Sequence, residues 1–316
     1  MGSAILPDWW DDSCLQEPKL LQDIEIRIAR FLGLPLEVVK DPGAPLAAPA
    51  YPGAQLRRVK DIDRDKLGPA IHSAMRVASA VVRSLRDTTL NAVIPPADGL
   101  GWRNSIHQTG HSITLQDLVG DLWRRGIPVI PLDILPAPSF QGLAGIIDGR
   151  PVILLGHKHD EPGRVAFIVA HEAGHVAADD CAPDQPVVDE EEDIQDDTPI
   201  ERRADQYATR ILVGSDIIPD INGTNFKDLA RRAAELERNT GANASTLIFA
   251  WARCTPSPGS YQTATLAVKA LYRSTGARRQ LRQLFDQYVD IAAATETDRA
   301  LLRCVFGESE HHEAAV

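Results

Sequence analysis

In the string Phe167-Ile168-Val169-Ala170-His171-Glu172-Ala173-Gly174-His175, two histidines stand four residues apart with a glutamate directly after the first. On an α-helix residues i and i+4 share a face, so both imidazoles reach one ion while Glu172 projects beside it. Imidazole nitrogen suits zinc, and a catalytic zinc takes three protein ligands and keeps its fourth position for water. The chemistry such a trio supports is metal-assisted hydrolysis. The ion lowers the pKa of its water from about 16 towards 7 and polarises a carbonyl, while Glu172 takes the proton and delivers it to the leaving group. The four residues before His171 are apolar, as a buried helix requires.

A third ligand is needed, and Glu201-Arg202-Arg203-Ala204-Asp205 offers one, with Glu201 and Asp205 a turn apart on the next predicted helix. Glu201 completes the triad, and Asp205 holds a histidine from behind, which fixes the imidazole tautomer and raises its basicity. An acid near a helix N-terminus is also favoured by the helix dipole, which is the simpler explanation of Glu201. His157 and His159 are the rival third ligands; on a turn after a strand they suit a solvated or substrate-facing role better. Together with Arg164 they are the candidates for contact with substrate or with a developing oxyanion. Tyr207 lies about 240° round the helix from Glu201, which points it to the core. Gly174 costs about 1 kcal/mol relative to Ala inside a helix, and close packing against the ligand-bearing helix is the expected reason for it.

These residues resemble the ImmA/IrrE family of metallopeptidases, whose signature is an apolar run into HExxH followed by an E-x-x-A-[ND]-x-[FY]-A segment. Here that segment reads Glu201-Arg202-Arg203-Ala204-Asp205-Gln206-Tyr207-Ala208 and leads into Ile211-Leu212. The likeness extends upstream to Ala144-Gly145, the hairpin that follows and Arg164, and so covers Ile127 to Val213. Two features depart from the family pattern. The usual Leu-Leu-Met-Pro is Ile211-Leu212-Val213-Gly214, which touches packing, and the connection from His175 to Glu201 is long and acidic, which bears on substrate access. The resemblance implies a zincin-like domain holding Zn2+, a cytoplasmic role in regulation or stress response, and a protein substrate. That substrate would be a helix-turn-helix repressor or antitoxin. Family members are often encoded beside, or fused to, such a DNA-binding module.

The elements that must position these groups are legible from periodicity. Pro18 to Val39 reads as two short helices, a packing element or a degenerate helix-turn-helix, and the Pro/Ala-rich stretch Ala44 to Gly53 reads as a linker. Asp61 to Arg86 predicts a long amphipathic helix, and Leu115 to Arg125 a second one stopped by Gly126. Short β-type runs follow at Ile127 to Leu132, Leu143 to Ile147 and Pro151 to Leu155, the last two joined by Asp148-Gly149, a strong hairpin signal. A helix from Pro162 through the histidines and another from Pro199 to Val213 then flank an acidic run. Further helices are expected near Phe226 to Thr240, Ala244 to Ala252, Thr263 to Ser274 and Arg278 to Ala294, with a disordered tail from Glu308.

The fold class expected is α+β: a mostly helical zincin-like domain with a small antiparallel sheet, flanked by helical N- and C-terminal regions. The boundaries drawn are 1–53, 54–225 and 226–316. At 316 residues and 44% hydrophobic content the chain supports a substantial core, and no apolar run approaches the roughly 20 residues of a membrane helix. No basic and apolar leader opens the sequence, and Cys14, Cys181, Cys254 and Cys304 form no CxxC, as expected of reduced thiols in a cytoplasmic protein. A net charge of -11 argues against direct nucleic-acid binding. Much of the excess lies between Asp179 and Asp197, which reads as a solvated loop.

Two other function classes fit the same residues. One is a non-proteolytic sensor or transcription regulator with a structural or vestigial metal site; a fourth protein ligand would favour it, because structural zinc sites are closed. The other is an interaction module of a toxin-antitoxin or defence pair, in which the acidic run docks on a basic partner.

Overall fold

The computed structural model describes residues 6, 10–41, 43, 54–57, 67–87, 91–106, 112–136, 139–156, 159–183, 185–189, 198–218, 220–221, 223, 225–255, 259–272 and 276–307. After a 3-10 turn at Asp12–Gln16 the elements are α1 (Pro18–Leu32), α2 (Leu36–Lys40), β1 (Gln55–Arg57), α3 (Gly68–Arg83), α4 (Gly99–Ile106), α5 (Leu115–Arg124), β2 (Val129–Pro131), β3 (Gly142–Ile147) and β4 (Arg150–Leu155). They continue with α6 (Pro162–Ala177), β5 (Val187–Asp189), α7 (Pro199–Val213), α8 (Phe226–Thr240), α9 (Ala244–Cys254), α10 (Ser260–Leu271), α11 (Ala277–Tyr288) and α12 (Glu296–Phe306). The expected linker, the first turns of the long helix and the tail from Glu308 lie outside the described residues.

The hairpin forms where Asp148-Gly149 predicts it. Both residues take positive φ, 51° and 77°, the backbone of a two-residue turn whose twist matches its strands. β3 and β4 pair antiparallel from Gly142↔Leu155 to Ile147↔Arg150. The sheet as a whole is mixed, in the order β1-β5-β3-β4-β2, which corrects the antiparallel sheet expected from sequence. β2 runs parallel to β4 and β1 parallel to β5, while β3 is antiparallel to β4 and to β5. The reason is that β1 and β2 reach their partners through long connections rather than tight turns, and only such connections allow parallel pairing. β1 and β5 are three residues each, too short to show a period of two.

Helices cover both faces of this sheet. A Cβ at Gly142 would point into Glu172 of α6, and one at Gly145 would meet Met75 of α3; positions an odd number apart on a strand face opposite ways, so α6 and α3 lie on opposite sides. The main core gathers α3, α5, α6, the sheet and part of α7, and it also takes Leu281, Phe285 and Leu302 from α11 and α12. Trp123 of α5 stacks on Tyr288 of α11 with ring centroids 5.0 Å apart. A second core joins Val213 to α8, α9 and α10 through Leu229, Leu247, Phe249 and Val268. The stretch 226–316 therefore feeds two cores. Sequence periodicity ran one helix from Arg278 to Ala294; the chain instead ends α11 at Tyr288, turns, and starts α12 under a Thr295 cap.

α6 begins with Pro162 in its first turn, where a missing N–H costs nothing. α7 begins under the Thr198 hydroxyl, which accepts from the Glu201 N–H at 3.4 Å, and ends at Gly214 with φ 85°. The two helices pack closely because Gly174 has no side chain: a Cβ there would lie 3.2 Å from Ala204 Cα and 3.3 Å from Tyr207 Cβ. That close approach carries Glu201 to the histidines, as the small residue in the motif led one to expect.

Candidate metal centre

His171 and His175 share one face of α6, their ring centroids 4.9 Å apart and nearly perpendicular. The two Nε2 atoms approach to 3.1 Å. Glu201 reaches over from α7, with Oε2 3.3 Å from His171 Nε2 and Oε1 3.6 Å from His175 Nε2. Sequence reasoning did not find the fourth member. Asp189, at the end of β5, puts Oδ2 2.8 Å from His171 Nε2. One donor atom from each of His171, His175, Asp189 and Glu201 falls within 4.8 Å of every other.

All four are buried, His171 at 3% exposure, His175 and Glu201 at 0% and Asp189 at 6%, and Glu172 beside them is 1% exposed. Burying this many polar groups is costly unless charge is balanced. Glu201 is thus no solvent-facing helix-end acid, and the acidic run is not uniformly solvated: Asp189 is core, while 190–197 lie outside the described residues. The signal that could have exposed Asp189 is the apolar pair Val187-Val188 before it, a fragment of strand inside an acidic stretch.

Each of the two imidazoles is held from behind. His171 Nδ1 lies 2.7 Å from Asp205 Oδ1, as the Glu201/Asp205 spacing predicts, and His175 Nδ1 lies 3.0 Å from Asp180 Oδ2. Both aspartates are in turn paired with arginines: Arg253 of α9 with Asp205, and Arg203 of α7 with Asp180. The Arg253 guanidinium also sits over the Phe167 ring, 4.7 Å from its centroid. Sequence reasoning missed Asp180, Arg203 and Arg253, since none lies at a motif position that assigns it a role. Burial raises the carboxyl pKa of Asp180, but the hydrogen bonds from His175 and Arg203 outweigh it and hold the pKa below its ordinary value.

With Asp205 and Asp180 behind the two Nδ1 atoms, both Nε2 atoms face each other and two carboxylates, an arrangement that calls for positive charge at its centre. Burial alone would lower the His171 pKa, but the charge of Asp189 and the bonds to Asp189, Asp205 and Glu201 raise it well above the ordinary value. A divalent metal fits the donor set. A tetrahedral ion with ligands at about 2.0 Å has edges of about 3.3 Å. The separations of 2.8, 3.1, 3.3 and 3.6 Å bracket that figure. Two carboxylates also neutralise a dication.

The remaining sequence candidates go elsewhere or are not described. The Arg164 guanidinium lies over the ring of Tyr261 at 4.8 Å and near Phe249 at 5.9 Å, on the α9–α10 side, which removes the reason to aim it at an oxyanion. His159 is half-buried and outside the ligand group; His157 lies outside the described residues. Tyr207 is buried, its hydroxyl donating to Pro96 O at 2.9 Å, as expected of a core position. All four cysteines are free, Cys14 and Cys181 buried and Cys254 and Cys304 exposed.

Compared with protein-family models, with curated proteins and with solved structures, the chain finds no match in any of the three. Among the described residues no helix is long and apolar enough to cross a membrane.

Proposed function

We propose that this chain is a zinc-dependent endopeptidase of the zincin-like type, with His171, His175 and Glu201 holding the metal and Glu172 acting as general base and acid. What carries the reading is the convergence of the two Nε2 atoms and the Glu201 carboxylate in a buried site. When bound, zinc supplies Lewis acidity to the scissile carbonyl and to the attacking water. Glu172 takes that water's proton on a carboxylate oxygen and hands it to the departing amide nitrogen. Asp205 and Asp180 keep both imidazoles in the tautomer that offers Nε2. Gly142 at the start of β3 lets a main chain pass directly over Glu172, because a Cβ there would fall 2.0 Å from Glu172 Oε1. Following the resemblance to the ImmA/IrrE family, the substrate is a cytoplasmic regulatory protein, a DNA-binding repressor or antitoxin.

A second reading is favoured by one observation. Asp189 brings the group of candidate donors to four, the number that closes a structural site in a non-catalytic regulator.

Metal analysis of the full chain, combined with incubation with a panel of helix-turn-helix repressors and antitoxins as candidate substrates, tests the first reading. About one zinc per chain is expected, with cleavage that falls by roughly 10²-fold or more in Glu172→Gln while zinc stays bound. Cleavage undiminished in that variant removes Glu172 from the mechanism, and a chain without zinc removes the peptidase.

A further inference from the structure

A peptide that adds to the sheet next to Glu172 must pair with the start of β3, and that edge is taken. β5 pairs with it in the register Gly142↔Asp189, Leu143↔Val188 and Ala144↔Val187, and the Gln141 N–H donates to Asp189 O at 2.7 Å. β1 then covers the far side of β5, pairing Gln55↔Val187 through Arg57↔Asp189, so that the outer strands of the sheet are β1 and β2. The residue of β5 opposite Gly142 is the one whose carboxylate enters the ligand group, 2.8 Å from His171 Nε2. Main chain and side chain thus occupy two places at once that a hydrolysed peptide needs, the strand position and the fourth coordination position.

Glu172 decides between a permanent and a displaceable occupant. It is buried to 1% beside the centre, yet it is outside the ligand group. A closed structural site has no use for a further carboxylate in its wall, and burying a carboxylate is costly. A hydrolytic site that opens does use it. Resting on the peptidase reading above, we propose that Val187–Asp189 is an internal occupant of the peptide-binding edge of β3, displaced when an extended substrate takes its main-chain partners and releases Asp189 from the metal position. The occupant also describes what replaces it. Val187 and Val188 are fully buried and precede Asp189, so the substrate carries two apolar, β-branched residues on the N-terminal side of the scissile bond.

The test uses the full chain, zinc and acetohydroxamate, a small chelator that needs an open coordination position. Asp189→Ala and the isosteric Asp189→Asn should each keep about one zinc per chain and bind acetohydroxamate at least about tenfold more tightly than the unaltered chain by calorimetry, because the competing occupant is gone. In the unaltered chain, saturation with acetohydroxamate should speed amide exchange at Leu143 and Val187–Asp189. Loss of zinc from both variants overturns the proposal and makes Asp189 a structural ligand, and so does retained zinc with unchanged acetohydroxamate affinity. Should Asp189→Ala not fold, Asp189→Asn and the exchange measurement decide between displacement and a fixed ligand. An unaltered chain that holds no zinc sinks the peptidase reading itself, a result distinct from either of these.

Discussion

In the proposed centre Asp205 is not itself a metal ligand, yet it governs how well His171 would serve as one. Its carboxylate accepts from His171 Nδ1 and is itself braced by Arg253, so the ring can neither flip nor change tautomer without losing its bond to a carboxylate held in place. Removing such a partner typically weakens metal binding by about 10- to 100-fold. Asp205→Ala should show that loss in a competition titration against a coloured chelator, with secondary structure unchanged. Unaltered affinity would mean that the bond behind His171 is ornamental. The motif spacing showed Asp205 in advance, because both partners lie on helices with a period of about 3.6. It could not show Asp180, which reaches His175 only because the chain turns back after α6 through Asp179 at φ 57°.

At the scale of elements, the centre depends on how closely α6 and α7 approach. Gly174 sets that distance, and Ala204 on the facing helix is its small counterpart. A valine at 174 would force the helices apart or its own side chain off its rotamer, at a cost of about 1–3 kcal/mol. Gly174→Val should therefore lower stability by that amount in urea and weaken zinc binding as well, since Glu201 rides on the displaced helix. A variant that loses stability but keeps full metal affinity would separate the two roles. α6, α7 and the β3–β4 hairpin were all legible in the sequence: each has a sharp boundary residue (Pro162, Pro199 with Gly214, Asp148-Gly149) and enough length to display its period. β1 and β5 were not, because three residues make an element only when a neighbour supplies the hydrogen bonds.

For the whole molecule, the connection that matters is between chain end and chain start. Asp298 of α12 is buried against Arg76 and Arg83 of α3, at 2.9 Å from each. Burial alone would raise its pKa, but the bonds and charges of those arginines bring it down to about 2. A carboxyl depressed below its unfolded value of 3.8 stabilises the fold above that value and loses the contribution as pH falls through about 2. Discounted for the solvent that reaches Arg83, this amounts to roughly 1–2 kcal/mol. Stability measured from pH 5 to pH 2 should fall steeply in the unaltered chain. Asp298→Asn should start lower, having removed the carboxylate that pairs with the half-buried Arg76, and lose less over the same range. Parallel curves for the two proteins would rule Asp298 out as the link.

What the sequence determined by itself is local: two imidazoles on one helical face, a carboxylate beside them, an acid on the next helix with a second acid one turn on, and a tight hairpin upstream. These follow from helix and turn geometry over a few residues, which composition and spacing express directly. The tertiary structure alone decided that a strand from the acidic run pairs with β3, that Asp189 thereby joins the two histidines and Glu201, and that α11 and α12 belong to the core of the sheet. Such pairings are made between residues far apart in the chain, and their free energy comes from hydrogen bonds and burial that exist only once both partners are in place.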